Sequence, residues 1–578
     1  MLDLKYALSG LFIVAIGACS APTSDMTAST GAPDLIVIDA DVRTVDPATP
    51  SASAFAIKDG KFLAIGSTDD IRKLANDETE ILDADGATVL PGLIDGHSHL
   101  HIGLRVLLNV DLYGDDDKQS WLNKIEAKAN SLPDGAWVLG GRWDHSLIGG
   151  AFPTKEDLDR IVPDHPVFLQ DVDGHSAWAN SLALELSGVT ADSVSPDGGD
   201  IVRDPETGEP TGILLERAKA LVTDSEAYIE GSQLSRDERL DALAEATVFA
   251  NSVGLTSIHE MADVDAFYDF ISLLESDRLN LRVWYGFRSL SGVDVTEETF
   301  RTVRADAEKA VQAADKAARG PMLAPGYVKF WIDGVLSSRT AVMLEPYSDQ
   351  PGERGLPTMV ESEVLRLVRA ANAANFPVAI HAIGDGAVRT SLNVFAQAGV
   401  AMPLQNRIEH IEVLHVDDLD RFANENVIAS VNPHHAVTTF NNYLTERIGE
   451  AREDLAYPYG RLSASQADLV LGSDWPTAPL APLTQIWAAT FRESALGLGE
   501  GPWHPENALT FDQALYAYTQ AGADAAGWGD EVGSISVGKW ADFVILNGII
   551  ETPVQAEIQD MNVRSTYVAG ARVFELPE

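Results

Sequence analysis

Apolar residues come in short runs along the middle of this chain, separated by longer stretches of helical periodicity. Eight runs have the length and texture of strands: 89–94, 255–259, 281–285, 327–332, 378–381, 407–410, 427–431 and 469–472. Strands that alternate with helices are the pattern of βαβ units around a parallel sheet. Eight of them predict an α/β protein built on a (β/α)8 barrel of the TIM type. The gap between the first run and the second is far too long for one crossover helix. Residues from about 103 to 236 therefore read as an inserted subdomain, with turn-rich stretches such as Ser195-Pro196-Asp197-Gly198-Gly199-Asp200.

The two ends of the chain have a different texture. Segments 35–38, 53–57 and 61–65 read as strands, with Asp59-Gly60 as a hairpin turn between the last two. Segment 534–539 leads into a strand at 541–546, and 563–574 adds two more. Both ends together predict one small β-sandwich domain, 33–90 and 526–578, around a barrel spanning 91–525.

Five of the eight barrel runs end in a side chain able to ligate a metal, and barrels of this kind carry their chemistry at the C-terminal ends of strands. The first run delivers His97 and His99, which share a face because side chains at i and i+2 of a strand point the same way. The fifth ends in His381, the sixth in His410 and the eighth in Asp474. The fourth carries Lys329, whose ammonium has donors and no lone pair and cannot ligate a cation unmodified. Taken singly, His97 and His99 could be surface residues on a loop, and His381 and His410 read better as buried, hydrogen-bonded histidines. Asp474 reads equally well as a helix N-cap. It is the ordered set that points to a divalent ion.

Composition narrows the chemistry. Cys19 is the sole cysteine among 578 residues, which excludes an intrachain disulfide, a cysteine nucleophile in the folded domain and a cysteine-rich metal site. With 41 Lys+Arg against 87 Asp+Glu, the net charge is −46, which disfavours nucleic acid and anionic lipid as partners of the folded domain. The N-terminal segment has Lys5, then an apolar stretch of small residues over 7–18, then Ile16-Gly17-Ala18-Cys19-Ser20. This predicts a lipoprotein-type signal peptide at 1–18, a lipid on Cys19, a flexible tether at 19–32 and a periplasmic or cell-envelope location. Any membrane contact would run through that lipid.

Several strings together resemble the amidohydrolase superfamily of metal-dependent hydrolases, in particular its N-substituted formamide deformylase-like branch. They are Pro91-Gly92-Leu93-Ile94-Asp95-Gly96-His97-Ser98-His99, Asp173-Gly174-His175-Ser176-Ala177-Trp178-Ala179-Asn180, Lys329-Phe330-Trp331-Ile332-Asp333-Gly334, Arg407-Ile408-Glu409-His410 and Gly472-Ser473-Asp474. Gly533-Ser534-Ile535-Ser536-Val537-Gly538-Lys539-Trp540-Ala541-Asp542 matches the segment that follows the family's barrel. The resemblance implies a centre of one or two ions, usually zinc. His97 and His99 would hold the more buried ion with Asp474, and His381 and His410 the second. Lys329 would bridge them after N6-carboxylation. Asp474 would act as general base for metal-activated hydroxide attacking an amide, formamide or cyclic amide C–N bond of a small molecule.

Softer expectations concern the pocket. His175, Arg339 and His434 are the candidate substrate contacts, with His434 favoured over His435. His101 is a candidate pocket wall, His259 and Glu260 are either site or core groups, and Trp143 and Trp331 read as packing. Two rivals share the pattern: an esterase, lactonase or carbamate hydrolase on the same centre, or a non-catalytic surface lipoprotein binding a metal or solute. Oligomeric state is left open.

Overall fold

A computed structural model describes residues 31–171, 176–196, 199–288, 294–317, 319–437, 444–493, 501–551, 554 and 556–577. The expected signal peptide, Cys19, nearly all of the tether, and His175 lie outside the described residues.

Eight parallel strands form the central sheet, in the order of the sequence. They are β1 (Leu93–Ser98), β2 (Leu255–Ala262), β3 (Arg282–Phe287), β4 (Leu323–Trp331), β5 (Val378–Ala382), β6 (Arg407–His410), β7 (Ile428–Val431) and β8 (Leu469–Leu471). β1, β2, β3, β5 and β7 are buried at every position, as expected of a parallel sheet covered by helices. The segment after β8 returns to β1 and closes the ring. Asp474 N–H donates to the His97 carbonyl at 2.7 Å, His99 N–H to the Trp475 carbonyl at 2.9 Å, and Ser98 bridges Trp475 in parallel register. Asp95 fastens the same seam from inside, accepting from Ser473 N–H (2.9 Å), Ser473 Oγ (2.5 Å) and His97 N–H (3.0 Å). Burial pushes its carboxyl up to about 6, against the pull of those donors.

The first barrel strand departs from the sequence expectation. The apolar run 89–94 is two strands rather than one. Thr88–Pro91 pairs with Asp41–Arg43 and Phe543–Leu546 in the β domain, and Leu93–Ser98 is β1. The division falls at Gly92, where a Cβ would stand 2.1 Å from Thr256 Oγ1, so only glycine fits as the chain crosses from one sheet to the other. A continuous run of apolar residues cannot reveal that break, because both halves are buried on both faces.

The chain ends assemble into two facing sheets. One has four strands: Lys61–Gly66, Ala54–Lys58, Leu35–Ile38 and Glu80–Asp83. The other has six: Ala571–Glu575, Val563–Val568, Phe543–Leu546, Thr88–Pro91, Asp41–Arg43 and Ser51–Ala52. Val37, Phe55, Val89, Phe543 and Tyr567 fill the space between them, with the Phe543 and Tyr567 rings stacked at 4.3 Å. Between β1 and β2 a further sheet of six strands spans Val110–Asp111 to Pro210–Glu216. It has its own core, in which Trp121, Trp143 and Trp178 are fully buried. Trp143 donates to the Leu169 carbonyl at 2.9 Å and packs, as its sequence context suggests. No described helix is long and apolar enough to cross a membrane.

A buried ion pair ties β3 to the β domain. Arg282 donates twice to Asp542, at 2.6 and 2.9 Å, and Asp542 also accepts from Ala569 N–H at 2.8 Å. Asp542 belongs to the Ala541-Asp542-Phe543 string, so its place there has a structural cause. Asp542→Ala leaves the arginine unpaired in the interior. It is expected to lower unfolding stability by about 3–5 kcal/mol, read from the midpoint of urea denaturation. An unchanged midpoint would show that the pair does not join the two units.

Candidate metal centre

The site is built from the tips of β1, β5, β6 and the turn after β8, with β4 beneath. His97 is wholly buried at the end of β1. Its Nδ1 contacts Glu409 Oε2 at 2.6 Å, and its Nε2 lies 3.2 Å from Asp474 Oδ1. His99 follows, with Nδ1 on the Met261 carbonyl at 2.8 Å and Nε2 3.4 Å from the same Asp474 oxygen. His410 directs Nδ1 to Asn432 Oδ1 at 2.9 Å, and Asn432 in turn donates to the Gly472 carbonyl at 3.2 Å. In all three histidines Nδ1 meets an oxygen that accepts, so Nδ1 carries the proton and Nε2 keeps its lone pair. His381 is turned the other way. Its Nε2 faces the Gly334 carbonyl at 3.2 Å, which leaves the lone pair on Nδ1. The rings of His97 and His381 stand 4.8 and 4.5 Å from that of His410, centroid to centroid.

The backbone at these tips is unusual. His410, Ile411 and Asp474 have φ of 76°, 53° and 58°. Left-handed conformations at non-glycine residues cost of order 1–3 kcal/mol each and persist where the surroundings hold them. Here they break the alternation of a strand, so that neighbouring side chains reach one centre. Gly472 lets β8 approach β1: a Cβ there would stand 2.3 Å from His97 N.

Electrostatics suit a cation. Burial alone would raise the Asp474 carboxyl, but the charge and hydrogen bond of His97, together with His99 and His410, hold it well below the usual carboxylate range. Burial drives His410 well below 6.5, and burial with the nearby Lys329 charge takes His381 down to about 3. Both imidazoles are therefore neutral at ordinary pH. Lys329 is buried, with Nζ 3.4 Å from His97 Nε2 and 3.2 Å from Met261 Sδ, and burial lowers its ammonium to about 8. Ligand atoms of His97, His99 and Asp474 lie within 4.8 Å of one another. Neutral imidazoles with a carboxylate are the donor set of zinc and related ions, so the residues fit the group.

Of the six expected residues, His97, His99 and Asp474 bring their donor atoms together, Lys329 reaches His97, and the His381 ring packs against that of His410. The expected substrate contacts fare differently. His434 is buried under the helix Pro482–Phe491, its N–H donating to Gln485 Oε1 at 3.0 Å, and it is the next residue, His435, whose ring faces Asp474. A turn of 3-10 helix, Pro433–Val437, follows β7, so strand alternation could not tell which of the two histidines points inward. Arg339 binds Asp349 on a loop, at 3.0 Å through Nε, and Arg447 grips the same carboxylate. That pairing answers its charge locally. His101 is tied to Asp269 at 3.1 Å, which Arg239 also holds, so its ring braces a helix rather than lining a pocket. Glu260 caps that helix, Leu100–Leu108, accepting from Leu100 and His101 N–H at 2.7 and 3.0 Å. His259 is a satisfied core group between Arg407 (2.9 Å) and the Gly522 carbonyl (3.1 Å).

A parallel eight-stranded barrel with histidines and an aspartate at its strand ends defines a metal-dependent hydrolase, and residues 80–574 match the amidohydrolase family. The chain belongs to that family and is a hydrolase of carbon–nitrogen bonds. It is 32% identical over 559 residues to Protein LONG AFTER FAR-RED 3 of Arabidopsis thaliana, covering 94% of this chain and 91% of that one. It is 29% identical to the N-substituted formamide deformylase of Arthrobacter pascens, covering 94% and 98%. A metal-dependent hydrolase from Pyrococcus horikoshii OT3 shares the fold at a TM-score of 0.68 and 26% identity, covering 89% and 97%.

One pH dependence follows from His381. It stays neutral in the folded protein down to about 3, whereas an imidazole of the unfolded chain protonates near 6.5. Between these values the unfolded state binds more protons, so stability is full above about 6.5 and falls as the pH drops through the window. In metal-stripped protein, His381→Gln is expected to flatten the fall in urea stability between about pH 6.5 and 4. A slope identical to wild type would show that this imidazole titrates freely when folded.

Proposed function

We propose that this protein hydrolyses a non-peptide amide, formamide or cyclic amide of a small molecule, with Asp474 as general base. The observation that carries the reading is the Asp474 carboxylate, ionised by its surroundings and set 3.2 and 3.4 Å from the Nε2 atoms of His97 and His99. His97, His99 and Asp474 would hold one ion, His381 and His410 a second, and zinc suits their nitrogen and oxygen donors best. Such an ion supplies Lewis acidity, polarising a carbonyl and bringing the pKa of water to roughly 7. Asp474 accepts the proton of the attacking water and delivers it to the leaving nitrogen, help worth about 10²–10⁴-fold. Lys329, with its ammonium lowered to about 8 by burial, has a neutral fraction at physiological pH. That neutral amine would add CO₂ and release a proton to become a carbamate, an anionic oxygen donor. Similarity to a protein named for formamide deformylation supports an amide-like substrate. The signal-like segment 7–20 supports export and a lipid on Cys19.

Asp474→Asn is expected to keep the barrel, read by circular dichroism, and to lower kcat at least about 10²-fold. The assay uses zinc-loaded protein with formamides, N-acyl amino acids, hydantoins and esters. Near wild-type turnover in the variant would refute the base. Cleavage of esters with no amide cleaved would move the reading to an esterase.

A further inference from the structure

Asn547-Gly548 is the sole Asn-Gly pair in the chain, and it stands at a bend where Asn547 is exposed. It directly follows Phe543–Leu546, the strand of the β domain that pairs with Thr88–Pro91. Asparagine before glycine carries a reaction of its own. The backbone nitrogen of the following residue attacks the side-chain amide carbon, and glycine, lacking a Cβ, leaves that nitrogen uncovered.

The local contacts leave the reacting atoms available. Asn547 Oδ1 accepts from Asn562 N–H at 3.1 Å, which draws electron density from the amide carbon and makes it a better electrophile. Among the described residues, neither Gly548 N–H nor Asn547 Nδ2 donates to an acceptor, so the attacking and the leaving nitrogen are both unencumbered. An open cavity of about 510 Å³, lined in part by Asn547, Gly548, Glu551, Asp560 and Met561, admits water. The same turn fastens the start of the strand that crosses at Gly92 into β1. The Gly548 carbonyl accepts from Thr88 N–H at 2.9 Å, and Ile550 N–H donates to Thr88 Oγ1 at 2.8 Å.

We propose that Asn547 is a self-modification site, deamidating in the folded protein through a cyclic imide to isoaspartate and aspartate, and that the isoaspartate unfastens this turn from Thr88. The Gly548 nitrogen bonds to Asn547 Cγ and gives up its proton, and Nδ2 leaves as ammonia. Water then opens the five-membered imide. Cleavage of the bond from the Gly548 nitrogen to Cγ yields aspartate. Cleavage of its bond to the backbone carbonyl carbon yields isoaspartate, with the chain continuing through Cγ. Each product replaces a neutral amide by a carboxylate. Isoaspartate also puts an extra carbon into the main chain between residues 547 and 548, longer than a peptide spacing allows, and this displaces the Gly548 carbonyl from Thr88.

The test is ageing of the full chain in warm, mildly alkaline buffer, with the tryptic peptide 540–564 followed by mass spectrometry and isoaspartate recognised by its electron-transfer fragments. Wild type is expected to convert at Asn547 to a mixture richer in isoaspartate than in aspartate. Asn562, in the same peptide but ahead of the β-branched Val563, should stay intact. Gly548→Ala should convert several-fold more slowly. That variant is expected to fold, because a Cβ at Gly548 meets only the end of the Met561 side chain, at 3.4 Å. Aged wild type should unfold at lower urea than fresh wild type, and Gly548→Ala aged alongside should not. The proposal is overturned if Asn547 stays intact in the folded chain while a guanidinium-unfolded sample converts, if aspartate forms without isoaspartate, or if conversion leaves the urea midpoint unmoved.

Discussion

Arg407 and Glu409 lie inside the barrel with no exposed surface, joined at 2.5 Å, and the imidazole of His97 leans on that pair through its 2.6 Å contact with Glu409. A lone carboxylate at that depth would lose its hydration at a cost of several kcal/mol. Burial pushes the Glu409 carboxyl up, and the Arg407 charge together with His97 brings it well below the ordinary range. The guanidinium has further work. It donates to the Gly96 carbonyl on β1 at 2.6 Å, to Ser430 on β7, and to His259 on β2 at 2.9 Å. One arginine thus holds four strands, β6, β1, β7 and β2, against each other inside the barrel. The same contacts fix the tautomer of His97 and aim its Nε2 at Asp474.

Much of this was legible in the sequence. Seven of the eight barrel strands fall within a few residues of where apolar runs place them, because parallel strands buried on both faces carry that texture. The proximity of the six candidate residues was legible too, since strand ends of a closed barrel converge whatever their distance along the chain. The misreadings have physical causes. Residues 89–94 looked like one strand because neither half exposes a polar face to mark the crossing at Gly92. Sequence alone favours His434 over His435, but a helical turn after β7 replaces the strand's alternation and turns His435 toward Asp474. Arg407, Glu409 and Glu412 flank His410 in one short string, yet the sequence alone shows no role for them. Their roles lie in contacts with His97, His435 and His259, which are remote in sequence. The inward positions 407 and 409 of a buried strand, both charged, were the available signal.

The arrangement also explains why chemistry of this kind is tied to a closed barrel. The seam between β1 and the segment after β8 carries two functions at once. Asp95 locks it through Ser473, and the next residue, Asp474, meets the histidines of β1. Barrel closure and site assembly are one event, so a loose seam would scatter the donors. The left-handed Asp474 lies in that seam, its N–H donating to the His97 carbonyl at 2.7 Å.

The most direct test of the central claim is X-ray diffraction from metal-loaded crystals, with anomalous data on either side of the zinc absorption edge. The account predicts an anomalous peak bonded to Nε2 of His97, Nε2 of His99 and the Asp474 carboxylate, at the roughly 2.0–2.2 Å typical of zinc. Anomalous density absent from these donors in loaded crystals, or an ion held elsewhere while the four histidines and Asp474 make only hydrogen bonds, would contradict it.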